Sequence, residues 1–230
     1  MAKYIVLSFD DGTIYDKRFI DILNKYNVSA TFNLNSGLEK FVWYYQDKYE
    51  IKRLTLSDNP HLYDNHEIAS HTLTHPFLTN LSEEELIKEV NDDIANLERI
   101  FNIKVVSFGT PFDKCSEREI EIIKKHTPIK YFRIPILKED DDFSLPQDEY
   151  HVPINALYED KDIYERIKRF AKCDKEDALF VVAGHSYCQS LSSHRFQNEY
   201  MYKTIPRLPI SAAWDEQRSF SMLPSSFQQG

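Results

Sequence analysis

Two histidines four residues apart, in the run His71-Thr72-Leu73-Thr74-His75, can offer two imidazole nitrogens to one metal ion if the run forms a helical turn. Among eight histidines such spacing also arises by chance, and a polar loop with two solvent-facing rings is the plainer reading of this run alone. Adjacent carboxylates stand at Ser8-Phe9-Asp10-Asp11-Gly12, where an apolar run ends in a turn signal. A metal-dependent hydrolase needs one carboxylate as a ligand and a second as base for the attacking water. At a strand end successive side chains point in different directions, so one aspartate can face a metal while its neighbour faces the water. The same pair is also an ordinary turn, and gains weight only beside the histidines. His185, in Ala183-Gly184-His185-Ser186-Tyr187, is a candidate general acid for a leaving amine, or a hydrogen-bonded structural histidine. Ser186 is no obvious nucleophile, because the G-x-S-x-G elbow is absent.

These residues act together only if the fold brings them together. Residues 4–9 read as a strand, and 16–26 as a helix with Phe19, Ile20, Leu23 and Tyr26 at helical spacing. Strands are expected at 30–34, 67–70, 105–108, 131–134 and 179–184. Helices are expected at 116–126, at 163–171 and after the capping box Ser82-Glu83-Glu84-Glu85, with Leu86, Val90, Ile94, Leu97 and Phe101 in register. Residues 37–65, with Trp43, Tyr44, Tyr45 and Asn59-Pro60, read as an insertion or irregular excursion. Alternating strands and helices argue for a parallel sheet with crossover helices. The reactive residues all fall just past strand ends, which favours an α/β fold of (β/α) barrel type over an open doubly wound sheet.

A chain of 230 residues, 42% hydrophobic, is ample for one domain. A net charge of −9 disfavours a general nucleic-acid surface. No run approaches the ~20 apolar residues that cross a bilayer, and the N-terminal run is too short for a signal-peptide core, so the sequence as it stands reads as cytoplasmic with no membrane partner. Cys115, Cys173 and Cys188 have neither disulfide-framework nor zinc-site spacing, and the five glycines form no phosphate-binding loop.

Ser8-Phe9-Asp10-Asp11-Gly12 followed by His71-Thr72-Leu73-Thr74-His75, with Ala30-Thr31-Phe32 and Glu67-Ile68-Ala69-Ser70 as context, resembles the polysaccharide deacetylase family, carbohydrate esterase family four. The resemblance covers roughly residues 4–188 and implies a distorted (β/α) barrel of about seven strands, with 189–230 left as an atypical tail. It also implies one divalent metal, usually zinc, with cobalt, manganese or nickel as substitutes, held by Asp11, His71 and His75. By the same resemblance Asp10 is the base, His185 protonates the departing amine, and a backbone N–H near Pro111 and Phe112 helps hold the oxyanion.

Two departures stand out. The family's third motif, Arg-x-Pro-Tyr-Gly, reads here Gly109-Thr110-Pro111-Phe112-Asp113, so the arginine that normally orients the base is missing. Arg133, on the next strand, is placed to supply a guanidinium, although a surface or structural arginine is the simpler expectation. The acidic run 139–142 reads as a solvated loop in place of the family's Asp-and-Trp motif, and the tail lacks helical periodicity. The expected substrate is an N-acetylated saccharide. The alternatives are a small amide, or a non-catalytic carbohydrate-binding protein on a degenerate scaffold; exposed aromatics such as Trp43, Tyr44 and Tyr45 along an open groove would favour a saccharide. Oligomeric state is left open.

Overall fold

A computed structural model of the chain describes residues 2–112, 114–138, 141–175 and 177–191. Eight strands form one all-parallel sheet: β1 (Ala2–Asp10), β2 (Thr31–Leu34), β5 (Glu67–Ser70), β6 (Ser107–Gly109), β7 (Tyr131–Leu137), β8 (Val152–Ile154), β9 (Ala156–Leu157) and β10 (Asp177–His185). Their order is β8-β7-β6-β5-β2-β1-β10-β9. The two outermost strands are separated in sequence by Asn155 alone. One short segment thus pairs with β7 through its first half and with β10 through its second. Eight strands therefore occupy seven staves of a nearly closed barrel. Asn155 ties the seam, accepting at Oδ1 from the Val181 N–H (2.7 Å) and donating its own N–H to the Val181 carbonyl (2.8 Å).

Alternation along β1 divides its residues between two environments. Leu7 and Phe9 face outward into the main core, where Phe9 packs on Phe19 at 4.4 Å between ring centres. Tyr4 and Val6 face inward and close the barrel floor with Val152, Leu179 and Val181. Ser8 and Asp10 continue the inward face upward, so the barrel becomes polar towards its C-terminal mouth.

The outer layer holds α1 (Asp16–Lys25), α2 (Glu83–Phe101), α3 (Glu117–His126) and α4 (Ile163–Lys172); α5 (Ser186–Leu191) follows β10. In α2 the expected capping box forms: Glu85 N–H donates to Ser82 Oγ (3.2 Å) and Ser82 N–H to Glu85 Oε2 (2.8 Å). Its apolar stripe Leu86, Val90, Ile94 and Leu97 is buried, and left-handed Asn102 ends the helix.

Several expectations change. The 37–65 excursion contains an antiparallel hairpin, β3 (Val42–Tyr45) and β4 (Tyr49–Lys52), beside the barrel mouth. The run from His71 to His75 is no helical turn: Thr72 and His75 have φ of 67° and 57°, so it is a loop. Strands β8 and β9 are too short to carry a periodic signal. Of the expected tail, residues 192–230 lie outside the described residues, as do Glu139 and Asp140 of the acidic run. No described helix is long and apolar enough to cross a membrane.

Candidate active site

Asp10 ends β1, where register sets it between Asn33 of β2 and His185 of β10. Asn33 Nδ2 donates to Asp10 Oδ1 (2.7 Å) and to Ser8 Oγ (2.8 Å). Arg133 reaches across the barrel interior from β7, donating to Asp10 Oδ2 (2.8 Å) and to Ser8 Oγ (3.0 Å). Burial pushes the Asp10 carboxyl up, but Arg133 first, then His71 and His185, outweigh it and hold the group down at about 2. Arg133 is thus 2% exposed and faces the site; of the readings open from sequence, a surface arginine does not hold, and its guanidinium reaches Asp10. Inward parity, shared with Tyr131 on the same strand, decides this.

The next residue, Asp11, turns with φ 86°, a left-handed conformation costly for a residue other than glycine and tolerated where a site requires it. This brings its carboxylate beside both histidines: Oδ1 is 3.5 Å from His75 Nε2, and donor atoms of Asp11, His71 and His75 lie within 4.8 Å of one another. His71 Nδ1 sits 2.7 Å from the Gly109 carbonyl, which can only accept. That contact fixes the ring with its proton on Nδ1 and leaves the Nε2 lone pair facing the cluster. Burial pushes His71 down to about 3 and lowers His75, so both rings are neutral near pH 7. Two neutral imidazoles, one carboxylate and space for a fourth ligand suit a divalent cation such as zinc.

Residues not singled out from sequence hold this cluster in place. Arg53, from the excursion, donates to Asp11 Oδ1 (2.8 Å), to the Asp11 carbonyl and to Asn35 Oδ1. Asn35 in turn donates to the carbonyls of His71 and Thr72 (2.8 Å to Thr72), bracing the left-handed turn. Asp93, on the inner face of α2, accepts from Ser70 Oγ (2.6 Å), the His71 N–H (3.3 Å), and the N–H and Oγ of Ser36 (2.8 and 2.7 Å). Asp16 accepts from Tyr63 Oη (2.7 Å) and from Ser186, the residue after His185. Burial pushes both of these carboxyls up to about 7, and the hydrogen bonds they accept only partly offset it. The available signal was polar residues at apolar helix positions, as with Asp93 between Val90 and Leu97.

His185 ends β10 with Nε2 3.6 Å from Asp11 Oδ2 and its ring stacked on Tyr187 at 4.8 Å. These groups open into a cleft of about 700 Å³, lined also by Phe41, Trp43, Thr110, Phe112 and Leu157. Phe112, with φ 56°, packs edge-on against His75 at 4.4 Å and stacks on Phe77 at 4.0 Å. Pro111 is buried and does not line the cleft. Of the three consecutive aromatics, Trp43 faces the cleft, Tyr44 is exposed and Tyr45 packs on Tyr187 at 5.3 Å.

The polysaccharide deacetylase family profile matches residues 1–132, more than half the chain. The chain belongs to the polysaccharide deacetylase family. It is 31% identical over 112 residues to the peptidoglycan-N-acetylmuramic acid deacetylase PdaC of Bacillus subtilis, a match spanning 48% of this chain and 21% of that protein. It is 29% identical over 92 residues to a peptidoglycan-N-acetylglucosamine deacetylase of Bacillus cereus, spanning 39% and 38%. The match therefore spans about a fifth to two fifths of these relatives. The fold resembles the Xyl-CE4 domain of a multidomain xylanase from the hindgut metagenome of Trinervitermes trinervoides, with a TM-score of 0.57, 18% identity and coverage of 90% and 84%.

Within this polysaccharide deacetylase fold, Gly109 and Arg133 explain each other. Their Cα atoms are register partners on β6 and β7. A Cβ at position 109 would lie 2.6 Å from Asn33 Cγ and Oδ1, and 3.0 Å from Arg133 Nη2. The volume where a side chain at 109 would begin is filled by the two residues that hold Asp10. Gly109→Ala is therefore expected to lose about 1–3 kcal/mol of stability, as overpacking does, because Asn33 can move only by giving up its bonds to Ser8 and Asp10. Chemical denaturation checks this; a variant within ~0.5 kcal/mol of wild type would show that the packing is slack.

Proposed function

We propose that this chain is a divalent-metal-dependent deacetylase that removes N-acetyl groups from an amino-sugar saccharide. The observation that carries the reading is one cleft in which Asp10, held by Arg133 and Asn33, adjoins the Asp11–His71–His75 cluster, with His71 Nε2 and Asp10 Oδ2 4.0 Å apart. Asp11, His71 and His75 would hold the metal. When bound, a divalent cation acidifies water and polarises the acyl carbonyl.

A carboxylate held at about 2 is a weak base, so Asp10 suits water that is already acidified. Asn33 and Arg133 each donate to one Asp10 oxygen, which fixes the carboxylate for proton transfer. Asp10 takes one proton from the attacking water. His185, at the end of the adjacent strand and partly open to solvent, gives a proton to the departing nitrogen, leaving a free amine and acetic acid, which loses its remaining proton to solvent as acetate; the proton on Asp10 returns through solvent to His185 for the next turnover. The N–H of left-handed Phe112 is the candidate donor to the developing oxyanion. The relatives named for peptidoglycan substrates and the aromatic lining of the cleft favour a saccharide over a small amide.

The test is acetate release from N-acetylated chito-oligosaccharides before and after chelation. Release that stops on chelation and returns with added zinc is expected. Release unaffected by exhaustive chelation would overturn the metal-dependent reading, and turnover of small N-acyl amides alone would overturn the saccharide one.

A further inference from the structure

The ladder between β1 and β10 ends at the site itself, its last register pair being Asp10 and His185. Beyond that pair the two chains part, one into the turn that carries Asp11, the other into α5, which begins at Ser186. Among the described residues no main-chain hydrogen bond joins them further on. A buried side-chain network takes over instead. Ser186 Oγ donates to Oδ1 of Asp16, the first residue of α1, and lies 3.0 Å from Thr13 Oγ1. Because the Ser186 proton is committed to Asp16, the Thr13 hydroxyl is the donor in that second contact. Thr13 stands two residues after Asp11 and Ser186 directly after His185, so these bonds join the parting chains just past the ladder. Tyr63 Oη donates to the other Asp16 oxygen (2.7 Å), and its ring is wedged between Phe32 and Phe101 at 5.0 and 5.7 Å.

Asp16, Thr13 and Ser186 are fully buried, and none of them lines the cleft. The Asp16 carboxyl forms no ion pair among the described residues, and burial pushes it up to about 7. A carboxyl buried without a cation costs stability, and the hydrolytic steps make no use of it. Its value is its position between the two chains. We propose that Asp16 is a positioning residue for His185: through Ser186 and Thr13 it clamps the start of α5 to the turn after Asp11, and so fixes how far the acid stands from the metal cluster. This rests on the reading of His185 as the proton donor. The Tyr187 ring, stacked on His185 at 4.8 Å, lies on the same clamped turn, so the clamp sets the ring's orientation as well as its distance. Because Asp16 never touches the substrate, it acts on the chemical step through geometry and leaves binding alone.

Two substitutions separate the clamp from mere packing. Asp16→Ala cuts it, whereas Asp16→Asn keeps it, because the amide accepts from one hydroxyl and donates to the other. Asp16→Ala is expected to lower kcat about ten- to hundredfold with KM and zinc content as in wild type, and Asp16→Asn to stay within about threefold. Proton NMR of the zinc-loaded proteins reads the same geometry without turnover. The His185 ring protons, identified by their loss in His185→Ala, lie against the Tyr187 ring and carry its ring-current shift. Asp16→Ala is expected to move these signals towards those of a free histidine, and Asp16→Asn to leave them in place. Ser186→Ala removes only the hydroxyl that joins the two chains, and is expected to give the same displacement should Asp16→Ala not fold. Unmoved His185 signals in the cut variants would overturn the clamp whatever the activity does, as would displaced signals with kcat at its wild-type value. Displaced signals that Asp16→Asn restores, in a protein whose wild type releases no acetate, would support the clamp while the deacetylase reading fails.

Discussion

Asp10→Asn is expected to keep its metal and to lose about 10²- to 10⁴-fold in kcat, the range that a positioned general base contributes. The substitution is nearly isosteric, and Asp10 is not among the three residues whose donor atoms cluster. What it removes is the only carboxylate beside the cluster that is not itself a proposed ligand among the described residues lining the cleft. It also leaves the Arg133 guanidinium, buried and bonded to Asp10 at 2.8 Å, without its countercharge, so some stability is lost as well. Activity and metal content measured on the same preparation separate these effects. Turnover within tenfold of wild type would remove Asp10 from the mechanism.

Arg133→Met is expected to destabilise the protein by about 3–5 kcal/mol, the cost of breaking one partner out of a buried ion pair. The loss should depend on pH with a definite sign. Asp10 is held at about 2, below its ordinary 3.8, so the pair contributes fully above pH ~4 and its contribution disappears as pH falls through about 2. Wild type and variant should therefore differ most near neutrality and converge in acid. Urea denaturation at several pH values reads this directly. A constant difference from pH 7 to pH 2 would show that Arg133 acts by packing, without the charge pair. If Arg133 replaces the missing motif-three arginine as base holder, activity should fall with the stability, and Arg133→Lys should recover only part of it because one ammonium cannot bond both Ser8 and Asp10 in the same geometry.

The residues proposed to carry chemistry were legible as a group because each lies at or just past the end of a strand whose apolar run is visible locally. Asp10, Asp11, His71 and His185 all fall just after such runs, and the alternation of strands and helices was enough to put their ends at one mouth. The holding residues were not legible, because their partners are set by tertiary register. Arg53 meets Asp11 across 42 residues, from a hairpin whose pattern mixes aromatics and charges with no clean period. Arg133 was read as a residue but not as a direction: its inward orientation follows from its parity with Tyr131 on β7, and its register beside Gly109 leaves it room. A lone glycine ending a strand was the clue, since it marks close approach by another group. The spacing of His71 and His75 suggested a helical turn, yet Asn35 and Asp93 hold a left-handed loop there instead. The seam at Asn155 divides one segment between two partners, leaving each half too short for any periodicity to show.

Metal stoichiometry of wild type and of His71→Ala, each loaded with zinc and desalted before analysis, tests the central claim most directly. About one zinc per chain in wild type and a near-complete loss in the variant, with both proteins folded by circular dichroism, is the predicted result. Equal zinc in the two proteins, or none in either, would contradict the Asp11–His71–His75 assignment and the hydrolytic mechanism built on it.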